Sequence, residues 1–203
     1  MRRSLTVYAL TLAAALVSPG AQAGAQLRYR VLNLGVPDSY GDPATSLAFA
    51  LNNHGSVAGT VADPGQRRLE RAFLFQDGRM RLLGHLGGLP TSEAVDINDR
   101  GQVLGYATDP ATSERRLFLY DQGRLTDLSP GPDVNDRTPH ALNDAGQVVG
   151  AIHSRAFVLD GNGLRFIPFG ADVSRSEARA INDRGVVVGQ AYVETESAYR
   201  AFV

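Results

Sequence analysis

Two acidic residues in this chain, Glu93 and Glu177, occupy matching places in a repeated sequence pattern. Each lies five residues before a repeated Asn and directly follows a Ser. A pair of carboxylates that face each other across a ligand can perform general acid–base catalysis or cleave a glycosidic bond. The matching positions in the other two repeats are Leu47 and Thr138, so the acid is not a constant feature of the pattern. The sequence therefore offers action on a polysaccharide as the alternative hypothesis, not the favoured one.

The other side chains that could catalyse a reaction or bind a metal form no recognisable motif. The four histidines take different places in the repeat, no two have zinc-ligand spacing, and the chain has no cysteine. Nucleophile motifs such as Gly-x-Ser-x-Gly are missing, and so is the acidic spacing of a calcium loop. We therefore predict no catalytic residue, no metal and no cofactor. His140 stands out because the matching residues are Phe49, Val95 and Arg179.

The pattern that must position these residues recurs four times. An Asn is followed by Gly three residues later, by Val five later and by a second Gly seven later, and the Asn residues are 46, 45 and 39 residues apart. Asn-x-x-Gly predicts a turn, because Asn bonds its own backbone and Gly accepts positive φ. We assign the repeated residues to turns and not to ligand binding: Asn52, Gly55, Asn98, Gly101, Asn143, Gly146, Asn182 and Gly185.

Each repeat predicts four short strands. The first runs into the Asn, the Val-rich second ends at the second Gly, and the third is an Ala-Phe-Leu segment such as Ala72-Phe73-Leu74. A turn such as Asp77-Gly78 then leads into the fourth. Four-stranded units of about 45 residues are typical of β-propeller blades. We predict an all-β propeller of four blades, each of four antiparallel strands, with anchors near 50–83, 95–128, 140–167 and 179–203 plus 29–35.

The two ends of the chain suggest ring closure. The last repeat stops at Val203 after its third strand, and residues 29–35 resemble a fourth strand such as the one that ends at Leu83-Gly84. We expect this N-terminal strand to complete the last blade, which would leave no open edge. The competing interpretations are an open array of blades or a truncated gene product.

The first 23 residues read as a secretory signal peptide. Arg2 and Arg3 give a positive start, an apolar stretch covers 5–17, and Ala21-Gln22-Ala23 fits a cleavage site. Cleavage after Ala25 or an uncleaved anchor are the alternatives. We predict an exported protein, periplasmic or extracellular, with a single domain over 24–203 and no transmembrane segment in the mature chain.

Amino-acid composition excludes two further classes of protein. An exported chain without cysteine is not a disulfide scaffold, and about 180 residues suffice for one core. All 20 basic residues are arginines, the net charge is -1, and the basic residues are scattered among acids. The sequence therefore predicts no nucleic-acid surface.

The repeats resemble those of the HAF-repeat family of bacterial extracellular proteins. That family's unit is similar to Ala-x-x-Ile-Asn-x-x-Gly-x-Val-Val-Gly, then Ala-Phe-Leu-Trp, then Leu-Gly-x-Leu-Gly-Gly. This chain matches the first part at Ile97-Asn98, the second at Ala72-Phe73-Leu74 and the third at residues 83–88. It departs where Phe75, Tyr120 and Leu159 replace the frequent Trp. The resemblance implies an exported repeat protein and carries no shared activity.

The predicted connections between blades are the main candidates for binding. They cover 37–46, 85–92, 129–139 and 169–176, and in a propeller they gather on one face around the central channel, where function concentrates. Candidate binding residues in these loops and at the strand entrances are Asp38, Tyr40, Asp42, Glu93, Asp133, Asp136, Arg137, His140, Asp172, Arg175 and Glu177. Their acid excess favours a cation or a basic or hydroxyl-rich ligand; ordinary hydrophilic connectors are the other interpretation.

The sequence favours an exported, non-enzymatic β-propeller that acts as a binding or interaction module. Its partner would be a glycan or an envelope or matrix component. The alternatives are an exported hydrolase or lyase that acts on polysaccharide through acids near the propeller axis, and a passive envelope component without a specific ligand.

Overall fold

A computed structural model describes residues 7–10, 29–37, 40, 44–63, 69–129 and 137–203. The chain divides after Gly35 into two compact units, residues 1–35 and residues 36–203. In these described ranges the regular structure is β-strand, apart from one 3₁₀ helix at Glu194–Glu196. The all-β prediction is confirmed.

The first unit contains an antiparallel pair of strands. β1 (Val7–Leu10) pairs with β2 (Tyr29–Leu32), with Val7 opposite Leu32 and Leu10 opposite Tyr29. β1 lies inside the segment that the sequence assigns to a signal peptide. That assignment stays a prediction.

The second unit contains one antiparallel sheet for each repeat, and strands that are consecutive in the chain are neighbours in the sheet. Sheet 1 consists of β3 (Thr45–Leu51), β4 (Val57–Asp63), β5 (Leu69–Gln76) and β6 (Arg79–Leu82). Sheet 2 consists of β7 (Thr91–Ile97), β8 (Val103–Asp109), β9 (Glu114–Asp121) and β10 (Arg124–Asp127). Sheet 3 consists of β11 (Arg137–Leu142), β12 (Val148–Ile152), β13 (Arg155–Asp160) and β14 (Gly163–Phe166). Sheet 4 consists of β15 (Val173–Ile181), β16 (Val187–Val193) and β17 (Ala198–Phe202).

The repeated sequence produces the same backbone at each turn. The four turn glycines have φ values of 78°, 76°, 78° and 77°, in the left-handed region that favours glycine. Just before the turn, the pairing of the first two strands skips one residue in every sheet, which is a β-bulge. The skipped residues are Phe49, Val95, His140 and Arg179.

The second glycine of each repeat is required by packing. A Cβ added to Gly105 would lie 2.3 Å from the backbone oxygen of Glu93 and 2.3 Å from Cζ of Phe118. The same close approach occurs in the other sheets, between Gly59 and Phe73, Gly150 and Phe157, and Gly189 and Phe202. The phenylalanine of each Ala-Phe segment therefore lies against the glycine of the neighbouring strand, which couples the two repeated motifs.

Consecutive sheets share apolar clusters. Leu74 and Leu83 of sheet 1 pack with Ile97 and Phe118 of sheet 2. Further along, Leu104 of sheet 2 packs with Leu142 and Phe157 of sheet 3, and Val149 of sheet 3 packs with Ala178 of sheet 4. Sheets that pack face to face in chain order are the blades of a β-propeller, so this part of the prediction is confirmed.

The expected role of the N-terminal strand needs a correction. β2 pairs with β1, and sheet 4 has three strands in the part of the chain that the structure describes. Each residue of β2 from Tyr29 to Leu32 is paired with a residue of β1, so the backbone groups on that edge of β2 bond within the first unit.

Ring closure by packing of sheet 4 on sheet 1 is also absent from the described residues. Extensive contacts link sheets 1 and 2, 2 and 3, and 3 and 4, but none of that extent links 4 and 1. Leu51 on sheet 1 is 68% exposed and Val188 on sheet 4 is 43% exposed. Within the residues that the structure describes, the blades form an open array, which was the competing interpretation of the sequence.

A polar cavity between sheets 3 and 4

His140 and Glu177, two of the predicted binding residues, are in direct contact across the boundary between sheets 3 and 4. Nε2 of His140 lies 2.5 Å from Oε1 of Glu177, and the two side chains are 17% and 22% exposed. The other carboxylate oxygen of Glu177 accepts a hydrogen bond from Gln190 Nε2 at 3.1 Å and lies 2.6 Å from Arg179 Nη2. Glu177 is therefore a largely buried carboxylate held in place by three side chains.

Local backbone features position this pair. His140 is the bulge residue of β11, and a bulge redirects the side chain it carries. Glu177 follows Ser176, whose N–H donates to Ser154 O at 2.8 Å and whose Oγ accepts from Ala156 N at 3.0 Å. These bonds tie β15 to sheet 3, so the strand that carries Glu177 is fixed relative to the strand that carries His140.

A cavity of about 220 Å³, here called the polar cavity, opens beside Glu177. Its lining combines a carboxylate, a guanidinium, an amide, several hydroxyls and one aromatic ring. The lining residues are Thr138, Ala151, Ser154, Arg175, Ser176, Glu177, Gln190 and Tyr199. Groups that both donate and accept hydrogen bonds therefore converge on one small space next to an aromatic face.

Glu93, the counterpart of Glu177 in sheet 2, has different surroundings. Its carboxylate hydrogen-bonds to Tyr106 on the neighbouring strand, and burial together with this carboxylate raises the pKa of Tyr106. The Arg115 guanidinium lies over the Tyr106 ring, 4.4 Å from its centroid. The two glutamates thus bind different partners in different sheets.

The remaining predicted binding residues are distributed as follows. Arg175 lines the polar cavity with Glu177, whereas Tyr40 and Asp172 are absent from its lining. Their backbones make local bonds, from Tyr40 N to Pro37 O at 2.9 Å and from Glu194 N to Asp172 O at 2.8 Å. The residues Asp38, Asp42, Asp133 and Asp136 and the side chain of Arg137 lie outside the described residues.

Gln190 and Tyr199 line the cavity but are not among the residues predicted from the sequence, because they lie within strands of the repeated framework. Gln190 stands where the other repeats have Thr60, Tyr106 and Ala151. A position that changes from repeat to repeat inside an otherwise constant strand was the available signal.

The repeated Asn side chains build the turns and also join the sheets. Within its turn, Asn98 Oδ1 accepts from Arg100 N at 3.1 Å and from Gln102 N at 3.0 Å. The side-chain nitrogens cross to the next sheet, with Nδ2 of Asn52, Asn98 and Asn143 donating to the backbone oxygens of Asn98, Asn143 and Asn182, each at 3.0 Å. We call these three bonds the Asn ladder.

A second row of bonds runs beside the Asn ladder. The backbone N–H groups of Asn53, Asp99 and Asp144 donate to Oδ1 of Asp99, Asp144 and Asp183, at 2.8, 2.8 and 2.9 Å. Hydrogen bonds from Asn53 lower the pKa of Asp99, with the larger effect from its side-chain amide and the smaller from its backbone N–H. These carboxylates are therefore engaged in joining one sheet to the next.

Comparison with known proteins gives likenesses of structure and none of sequence. No protein-family model matches the chain, and no curated protein is similar to it in sequence. Among solved structures, the chain is similar to the β-propeller domain of the Trilobed protease from Pyrococcus furiosus, which is described as having an open velcro topology. The TM-score is 0.48 at 14% identity, over 86% of this chain. The match spans about half, 51%, of that structure.

The described residues contain no group of three or more His, Cys, Asp or Glu side chains arranged to hold a metal ion. Nor does any helix within them have the length and apolar character needed to span a bilayer.

Proposed function

We propose that this protein is an exported, non-enzymatic binding module and that the polar cavity holds a hydroxyl-rich ligand such as a sugar unit. The observation that carries the proposal is the Glu177 carboxylate, fixed by His140, Gln190 and Arg179 at the edge of a cavity lined by further polar groups. A site of this kind is already organised before the ligand arrives, which reduces the ordering cost of binding.

The chemistry of the lining supports a sugar. Hydroxyl groups both donate and accept, and the cavity offers them an acceptor at Glu177, donors at Arg175 and both roles at Gln190 and Thr138. Tyr199 adds an aromatic surface for the apolar face of a ring. The volume of about 220 Å³ is below the range of roughly 300–1,000 Å³ usual for drug-sized ligands, which favours one small unit of a longer chain.

The arrangement supports binding over cleavage. Cleavage of a glycosidic bond usually needs two carboxylates on opposite sides of that bond. Glu177 bonds to His140 and Glu93 bonds to Tyr106, so each acid has its own surroundings. The polar cavity itself is lined by one acid, Glu177.

The test is a titration of the purified chain with a panel of mono- and oligosaccharides, followed by calorimetry and by NMR of the sugar. Glu177→Gln keeps the shape of the side chain but removes the charged acceptor, and we expect it to weaken binding by roughly 10- to 100-fold. Glu93→Gln is the matched control at the equivalent position and should leave affinity unchanged.

Three outcomes contradict parts of the proposal. If no sugar binds, or if both variants bind like the wild type, the polar cavity is not the site. If the sugar is recovered cleaved, the enzymatic alternative gains support. Export is tested by N-terminal sequencing of protein collected outside the cytoplasm, where we expect Gly24 as the first residue.

A further inference from the structure

The interface between consecutive sheets uses the same repeat positions each time. The residue just before the repeated Asn is buried against the preceding sheet, as for Ile97 and Leu142, each 5% exposed. The alanine four residues before the Asn is also buried, at 2% for Ala94 and 0% for Ala178. On the other partner, the residue six after the Asn is buried, at 0% for Leu104.

Sheet 1 presents the first half of this interface without a partner among the described residues. Leu51 and Ala48 hold the positions of Ile97 and Ala94, yet Leu51 is 68% exposed and Ala48 is also exposed. We call this surface of Ala48 and Leu51 the leading face.

Sheet 4 presents the second half. Val188 holds the position of Leu104 and Val149, but it is 43% exposed where those two are 0%. It lies in a shallow depression that it shares with Gly189, Ala201 and Phe202. Val186, close by in the chain, is 45% exposed. We call the surface of Val186 and Val188 the trailing face.

The hydrogen-bonding groups that join consecutive sheets have no neighbouring sheet to bond to at either end of the array, within the described residues. In the Asn ladder each sheet donates to the next, so Asn182 Nδ2 and Asp183 N–H are donors that find no following sheet in the described residues. At the other end, Asn52 O and Asn53 Oδ1 accept no bond from a preceding sheet there. The trailing face therefore ends in donors and the leading face ends in acceptors.

We propose that the trailing face of one copy of this chain binds the leading face of a second copy, continuing the sheet-to-sheet packing from molecule to molecule. The occupant is a second copy because the two faces reproduce an interface that the chain already forms three times. By analogy with Val149 against Ala178 and Ile181, Val188 would pack against Ala48 and Leu51 of the neighbour. Such a head-to-tail contact gives a ring if it closes and a filament if it does not.

The experiment is sedimentation velocity on the purified chain over a wide range of concentrations. We expect the wild type to sediment faster as concentration rises. Leu51→Glu destroys the leading face and Val188→Glu destroys the trailing face, both at exposed positions, and each variant alone should remain monomeric. Arg124→Glu, exposed on β10 away from both faces, is the control and should associate like the wild type. Far-UV circular dichroism checks that every variant is folded.

Mixing the two variants tests the direction of the contact. The intact trailing face of Leu51→Glu can bind the intact leading face of Val188→Glu, so an equimolar mixture should form a one-to-one dimer and nothing larger. A wild type that stays monomeric at every concentration refutes the proposal. Association of either variant by itself also refutes it, because each variant has lost one of the two faces that the contact needs.

Discussion

Replacing Asn98 by Asp separates the two tasks of an Asn in the ladder. The carboxylate keeps an acceptor for Arg100 N and Gln102 N, so the turn bonds survive. It has no hydrogen to donate to Asn143 O, at 3.0 Å, or to Gln102 Oε1, at 2.8 Å. The Gln102 amide cannot rotate to compensate, because its Nε2 already donates to Asp121 Oδ2 at 2.9 Å.

The expected magnitude follows from burial. Asn98 is 5% exposed, and each bond lost to a buried partner costs about 1–3 kcal/mol. Enclosing a charge next to two oxygens adds to that cost. We therefore expect Asn98→Asp to lower the free energy of unfolding by about 3–5 kcal/mol, a large part of the roughly 5–15 kcal/mol of a typical domain.

Asn182→Asp is the matched control. Asn182 is exposed, its Oδ1 bonds to Arg184 N and Val186 N at 3.0 Å are retained, and its Nδ2 makes no ladder bond in the described residues. We expect a change within about 0.5 kcal/mol. A similar loss of stability in both variants would show that the turn, and not the link between sheets, is what the Asn provides.

The assay is urea unfolding followed by far-UV circular dichroism and tyrosine fluorescence, since the chain has no Trp. Protein concentration is kept low so that association between copies does not add to the apparent stability. A loss below about 1 kcal/mol for Asn98→Asp would refute the reasoning outright, because it would mean that the ladder bonds contribute little.

Two further predictions concern packing and pH. Gly105→Ala places a Cβ against Glu93 O and the Phe118 ring, so we expect it to destabilise the fold by about 1–3 kcal/mol, measured by thermal unfolding. Gly161→Ala is the control, because an added Cβ there has no atom within 4 Å, and it should change stability little. Equal effects of the two substitutions would contradict the packing argument. Burial raises the pKa of Asp96 above 3.8, although N–H groups of Leu142 and Ile97 oppose the shift. The folded state thus binds a proton on the Asp96 carboxyl group more tightly than the unfolded state does. Protonation of Asp96 therefore adds stability that is fully present below pH 3.8 and is lost as pH rises through the folded pKa. The wild type should therefore gain stability relative to Asp96→Asn when urea unfolding is repeated from pH 7 down to pH 4, and a difference that does not vary with pH would contradict the assignment.

The strands could be predicted because their signals are local. Asn-x-x-Gly specifies a turn within four residues, and Ala-Phe-Leu specifies a short apolar strand, so each repeat yields its sheet without knowledge of the others. The bulge before each turn was missed, because an extra residue in one strand changes no local pattern. His140 could be singled out from the sequence because the other repeats have no His at this position. Its contact with Glu177, 37 residues away, could not be predicted, because that contact depends on how two sheets pack.

Two expectations depended on non-local geometry. The equivalence of Glu93 and Glu177 in the repeat suggested a pair, yet equivalent residues in different blades face different neighbours, here Tyr106 and His140. Closure by residues 29–35 was inferred from similarity to a fourth strand. Similarity identifies the kind of element that a segment can form, whereas the strand it pairs with, here β1, depends on the rest of the fold.

The bulge also makes one place in each blade tolerant of change. Phe49, Val95, His140 and Arg179 are aromatic, aliphatic, imidazole and guanidinium at one and the same backbone position. The turn that follows is unaltered by that diversity, with glycine φ values between 76° and 78°. The side chain at this position can therefore be exchanged without a change in the backbone, and new selectivity need not be accompanied by a new fold.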